Sequence, residues 1–192
     1  MTAARVSVVI LAGGRSSRFG RDKLAEPIDG RTLLGRVIDA VRPVASEIIV
    51  VAAPGATPVV PDDVRIVHDP VAFEGPLVGA RAGVAAATEP LVVLVGGDMP
   101  GLVGAVLDSM VGALGSADAV VLEHDGHRRP LPMAICRDPA LAALDRLVAQ
   151  GERRLRALLD VLDARAVEEA MWRPLDPDGA TLCDIDTEAD LA

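Results

Sequence analysis

Apolar positions along this chain fall in short blocks whose period changes from block to block. Val6 to Leu11 is a nearly continuous apolar run with four β-branched residues and no alternation, which predicts a strand buried on both faces. Thr32 is placed to cap a helix from Leu33 to about Val44, and Glu47 to Ala53 reads as a second strand. Val64 to His68 predicts a third, bounded by Pro61-Asp62-Asp63 and Asp69-Pro70. Pro76 sits at a first-turn position and opens a helix through Leu77 to Thr88, rich in the Ala and Gly that close packing on a sheet requires. Leu91 to Val95 is wholly apolar, so this fourth strand should be central. A helix over Leu102 to Leu114 and a strand over Ala119 to Glu123 continue the alternation. Leu131 to Cys136 reads as another strand, followed by a helix opened by Asp138-Pro139 and stopped near Gly151. Leu155, Leu158, Leu159 and Leu162 recur at i, i+3, i+4 and i+7 and predict a second amphipathic helix with this stripe in the core. Alternating strands and helices imply an α/β fold: one domain over residues 1–192, an open three-layer α/β/α sandwich on a mostly parallel sheet with right-handed crossovers.

Composition sharpens this picture. The chain has 192 residues, 51% of them apolar, yet only two Phe, one Trp and no Tyr, so the core must be Val, Leu, Ala and Ile. That is the composition of a parallel sheet covered on both faces. No apolar run approaches the roughly 20 residues that span a bilayer, and Met1 to Arg5 has no secretory character; the expected location is the cytoplasm, away from membranes. Cys136 and Cys183 are isolated, without CxxC or a flanking His, so they read as core residues rather than a disulfide or zinc site. A net charge of −9 argues against a nucleic-acid partner, which would call for a basic face.

Against that acidic background, one stretch concentrates cations. Leu11-Ala12-Gly13-Gly14 carries the first strand into paired glycines, and Arg15, Arg18, Arg21 and Lys23 follow. Bare backbone N–H groups with surrounding cations make an anion cradle, suited to a nucleoside triphosphate. A P-loop does not fit, because Asp22 precedes Lys23 and Leu24 follows it, leaving no hydroxyl for a metal. The Gly-x-Gly-x-x-Gly spacing of a dinucleotide fold is also missing. In doubly wound sheets ligands collect at the carboxyl ends of strands, where two further places stand out. Gly96-Gly97-Asp98-Met99-Pro100 follows the central strand and presents Asp98, either as an oxygen ligand for Mg2+ or as a cap for the next helix. His68-Asp69 precedes Gly75-Pro76-Leu77-Val78-Gly79, with Asp69 either a ligand contact or a turn initiator before Pro70.

The order Leu-Ala-Gly-Gly-x-x-x-Arg-Phe-Gly-x-Asp-Lys, then Gly-Pro-Leu-x-Gly and Asp-Met-Pro, resembles the nucleotidyltransferases, and within them the molybdenum cofactor guanylyltransferases. The resemblance implies a nucleotide-diphospho-sugar transferase-like, Rossmann-like fold. It implies GMP transfer from GTP to the phosphate of molybdopterin, with release of pyrophosphate and dependence on Mg2+. Carried over residue by residue, it assigns Leu11, Ala12, Gly13, Gly14, Lys23, Asp69, Gly75 and Asp98 to nucleotide binding, Arg18, Lys23 and Asp98 to catalysis, and Asp98 to the metal. Molybdoenzymes or their chaperones are the partners it suggests. Gly151-Glu152-Arg153-Arg154-Leu155 extends the match toward the C-terminus.

Two departures accompany it. The family often has Asn near the end of the second strand, where this chain has Ala52-Ala53. The C-terminal Asp184-Ile185-Asp186-Thr187 stands where Asn is usual, and its alternation turns both carboxylates to one side, so that Asp186 either shares the cation with Asp98 or caps a last helical turn. His124-Asp125-Gly126-His127 is a hairpin signal, with Arg128 and Arg129 open to two readings, a solvated tip or a contact for an anionic acceptor. A cytidylyltransferase for the same pterin, a guanylyltransferase for another phosphorylated acceptor and a silent nucleotide-binding module are the alternatives.

Overall fold

A computed structural model of the chain describes residues 5–13, 24, 27–28, 30–69 and 75–185. Its strands are β1 (Val6–Ala12), β2 (Pro27–Ile28), β3 (Arg31–Thr32), β4 (Glu47–Ala52), β5 (Arg65–His68), β6 (Leu91–Gly96), β7 (Ala119–His124), β8 (His127–Cys136) and β9 (Ala164–Val167). The helices are α1 (Leu33–Val41), α2 (Pro76–Ala86), α3 (Gly104–Ala113), α4 (Arg137–Ala149) and α5 (Glu169–Trp172). Seven strands form one sheet in the order β5-β4-β1-β6-β8-β7-β9, while β2 and β3 pair separately. β6 is the middle strand, as its unbroken apolar run requires. Among the described residues of the seven-stranded sheet, only β8 runs antiparallel to its neighbours; β2 and β3 are antiparallel to each other.

Successive residues of β1 serve opposite faces of the sheet. Val6, Val8 and Ile10 join a core with Leu34, Val37, Ile38 and Val41 of α1 and Val106, Leu107 and Met110 of α3. Val9 joins the other core, with Leu77, Ala80 and Val84 of α2 and Ala140, Ala143 and Leu144 of α4. A strand so enclosed cannot alternate apolar and polar residues, which accounts for its sequence. Helix α2 lies close to the sheet because Gly83 carries no side chain; a Cβ there would strike Val9 and Val51.

Local chemistry sets the element ends. The Thr32 hydroxyl accepts from the Gly35 amide at 3.0 Å and starts α1. Gly151, at φ 82°, ends α4, with Glu152 N bonded to Leu147 O at 3.0 Å. The leucine stripe that follows is not an α-helix but a 3-10 turn over Leu155–Asp160. Leu155, Leu158 and Leu159 are buried as expected, since an i, i+3 spacing also puts residues on one side of a 3-10 turn, and Asp163 already bonds β7. Strand β8 begins four residues earlier than Leu131, because its first residues pair with Leu122 to His124 before a register shift. Neither β9 nor α5 is evident in the sequence: each is four residues long, too short to show a period. Cys183 is exposed, not core, and Cys136 is half-buried.

Candidate active site

A cavity of about 330 Å3 opens where the carboxyl ends of β1, β4, β5 and β6 meet the N-terminus of α2. Leu11, Gly13, Val51, Asp69, Gly75, Pro76, Gly79, Gly96, Asp98 and Leu131 line it. Five of the residues expected to bind nucleotide, Leu11, Gly13, Asp69, Gly75 and Asp98, therefore share one wall of chemistry although they span most of the sheet. Ala12 lines a second cavity of about 380 Å3 with Leu24, Thr32 and Ala52. Gly14, Arg18, Lys23 and Asp186 lie outside the described residues.

Asp98 is positioned by its backbone neighbours. Gly97 N donates to Leu11 O at 3.0 Å, tying the turn after β6 to the end of β1. Met99 is buried, and its sulfur accepts from Gly96 N at 3.3 Å. The carboxylate folds back over Gly96, where a Cβ would stand 2.5 Å from Asp98 Oδ1. That glycine is required by close approach of a carboxylate, not by a left-handed backbone. Asp98 does not cap α3: Val103 is the N-cap, and no side chain bonds there. Of the two sequence readings for Asp98, the cap is thereby removed.

The C-terminal return reaches the same turn. Asp176 is buried and accepts from Ala180 N and Thr181 N at 3.0 and 2.8 Å, shaping a short 3-10 turn. Thr181 Oγ1 then accepts from Val103 N at 3.1 Å, and Ile185 N donates to Asp98 O at 2.9 Å. The chain thus arrives beside Asp98 one residue before Asp186, with Gly101 packed so closely on Ala180 that a Cβ there would lie 2.6 Å from its carbonyl oxygen.

Asp69 is buried at 8% exposure, and its amide donates to Ala52 O at 2.9 Å. Its Oδ2 lies over Gly79, 3.5 Å from where a Cβ would be. Ala52 and Ala53, where Asn was expected, contribute backbone to this corner: Ala53 N comes within 3.6 Å of a Cβ built on Gly13. The floor is Gly75, at φ 99°, a conformation only glycine adopts without strain. Leu131, expected as the start of a strand, reaches the cavity from the irregular part of β8.

Oxygen donors are what a hard divalent cation requires, and Asp98 supplies one on the cavity wall beside the C-terminal return. The residues present fit Mg2+ there. A second group, His124, Asp125 and Glu169, has ligand atoms within 4.8 Å of one another at the end of β7. Arg173 occupies it: its guanidinium bonds Glu169 and stacks 4.7 Å over the Trp172 ring. Together with Asp125 N and His124, this holds the Glu169 carboxyl down to about 2. A cation built into the protein already balances that carboxylate.

Residues 8–168 match the MobA-like NTP transferase domain. A protein of Chloroflexus aggregans named "Probable molybdenum cofactor guanylyltransferase" is 34% identical over 97% of this chain and 91% of its own length. One of the same name from Mycobacterium avium is 35% identical over 95% and 91%. Among solved structures, the molybdopterin-guanine dinucleotide biosynthesis protein A of Archaeoglobus fulgidus superposes with a TM-score of 0.79, covering 96% of this chain and 94% of that one at 22% identity, a likeness of fold. With nearly the whole sheet and all the residues lining the cavity inside the matched span, the chain belongs to the MobA-like NTP transferase family.

Proposed function

We propose that this protein transfers GMP from GTP to the phosphate of molybdopterin and releases pyrophosphate. The observation that carries the reading is the cavity itself, in which two carboxylates and four glycines, Gly13 among them, converge from separate strand ends and α2. An oxygen of the acceptor phosphate attacks the α-phosphorus of GTP; the new O–P bond forms as the bond to the β-phosphate oxygen breaks, and pyrophosphate carries away the electron pair. Such a reaction asks mainly for positioning and for balance of developing negative charge. Asp98 together with Asp186 would hold Mg2+, which when bound would neutralise phosphate charge. Lys23 and Arg18 would supply further positive charge, consistent with the local excess of cations in an otherwise acidic chain.

Base choice follows from Asp69 and the glycines. A buried carboxylate accepts two N–H groups from the edge of guanine but finds only one amino group on cytosine. A mismatched base would leave buried polar groups unpaired, at about 1–3 kcal/mol each. GTP should therefore be used at least about 10-fold better than CTP. Incubation with the four nucleotides, each labelled at the α-phosphate, and a panel of phosphorylated acceptors tests this. Label should move from GTP to molybdopterin with equimolar pyrophosphate; transfer from CTP instead would make the protein a cytidylyltransferase, and no transfer from any nucleotide would leave a binding module.

A further inference from the structure

Helix α2 forms the cavity floor, yet Gly75, its N-cap, provides no side-chain hydrogen bond. Its two ends are held by other parts of the chain. Arg65 reaches the carbonyl of Ala86 at 3.1 Å and Arg137 those of Ala85 and Ala87 at 3.4 and 2.8 Å, at the end away from the cavity. At the cavity end, the carbonyl of Arg153 accepts from Leu77 N at 3.2 Å. The same oxygen would stand 2.8 Å from a Cβ on Gly75, so the 151–154 turn presses directly on the residue that lines the cavity.

Glu152 shapes that turn. Its Oε1 accepts from the amides of Arg153 and Arg154 at 2.8 and 2.9 Å and from Arg154 Nε at 3.1 Å, while Oε2 accepts from Arg154 Nη2 at 2.8 Å. One carboxylate thereby bonds both peptide units flanking the Arg153 Cα, including the one that carries the Arg153 carbonyl. The Arg154 guanidinium, then the Arg154 and Arg153 amides, hold the Glu152 carboxyl down to about 2, so this clamp stays charged through the neutral range. We propose that Glu152 is a positioning residue for nucleotide binding, aiming the Arg153 carbonyl at Leu77 and so setting Gly75 and the N-terminus of α2 at the cavity floor. The inference rests on the nucleotide reading of that cavity. Glu152 touches no cavity-lining residue itself among its described bonds; its effect travels through one backbone oxygen.

Glu152→Ala, Glu152→Gln and Glu47→Gln test it with two readouts, steady-state kinetics for GTP and amide hydrogen exchange at Leu77. Glu47 also gathers several bonds, from Ser7, Thr88 and Arg65, but at the opposite edge of the sheet, and so controls for general destabilisation. Glu152→Ala should raise KM for GTP about 10-fold with kcat within about 2-fold, and speed Leu77 exchange by a similar factor. Glu152→Gln keeps an oxygen for the two amides and should fall between it and wild type. Glu47→Gln should move neither readout at Leu77 nor KM. An unchanged KM in folded Glu152→Ala, or the same response in Glu47→Gln, overturns the assignment. If wild type uses no GTP, the functional reading fails by itself, and Leu77 exchange still decides whether Glu152 sets the helix end: equal rates in wild type and both Glu152 variants would refute it.

Discussion

Asp98 and Glu169 stand at the same edge of one sheet and differ in what surrounds them. β6 and β7 are both antiparallel to β8, so their carboxyl ends point the same way, and each ends near an acidic residue. Glu169 is clasped by Arg173, His124 and the Asp125 amide, and the resulting knot packs on the buried Trp172. Asp98 instead lines a cavity with Asp69, on a turn whose described bonds run from Gly97 N to Leu11 O, from Ile185 N to Asp98 O and from Gly96 N to the Met99 sulfur. Among the described residues, a count of nearby ligand atoms favours the His124 group, but Arg173 already pairs with its Glu169 carboxylate. A divalent cation in that group would meet repulsion from the Arg173 guanidinium, which the partly buried surroundings screen less than bulk water does.

The largest effect expected from this contrast is at Asp98. Asp98→Asn is nearly isosteric and should leave the melting temperature unchanged while lowering metal-dependent transfer about 100-fold or more, comparable to loss of an electrostatic stabiliser. Turnover near that of wild type, with the same Mg2+ requirement, would remove Asp98 from the site. Gly75→Ala should come next. The residue sits at φ 99° with the Arg153 carbonyl 2.8 Å from the new methyl carbon, so about 1–3 kcal/mol of strain must be relieved by moving the cavity floor. Calorimetric titration with GTP should show affinity weakened about 10-fold; unchanged affinity would place the nucleotide elsewhere.

At Glu169 the expected change is in stability, not turnover. Its carboxyl ionises near 2 in the folded protein against an ordinary 4.5, so its contribution is complete above about pH 4.5 and is lost as pH falls toward 2. Glu152, also near 2, loses its contribution over the same range. Glu169→Gln should therefore flatten part, not all, of the acid-side fall in stability, followed by fluorescence of Trp172, the single tryptophan. An unaltered slope between pH 4.5 and 2.5 would show that the knot contributes nothing to folding.

What the sequence disclosed and what it hid divide along the same contrast. The cavity was legible because glycines and acids at strand ends leave a mark in any parallel sheet: Gly13, Asp69, Gly75 and Asp98 each follow or precede a strong element. The order of elements was legible because β1, β4 and β6 are buried on both faces and so are almost wholly apolar, with Ser7 and Glu47 bonded to each other as the exceptions. The Glu169 knot was not, since α5 and β9 are single short segments whose meaning comes from partners 45 and 49 residues away in the chain. The leucine stripe misled in type but not in burial, as the i, i+3 contacts of an α-helix and a 3-10 turn are the same. Arg153 acts through its carbonyl, and no side-chain pattern announces a backbone oxygen.

Mn2+ broadens the NMR signals of nuclei close to it, and so reports where a divalent cation sits without relying on turnover. Amide spectra of the wild-type protein titrated with Mn2+ in the presence of GTP address the central claim directly. Broadening should appear first at Gly97, Asp98 and Met99, with Asp125 and Glu169 unaffected at the same concentration. Broadening that begins at Asp125 and Glu169 while Asp98 stays sharp would contradict the account and move the cation to the group that Arg173 now holds.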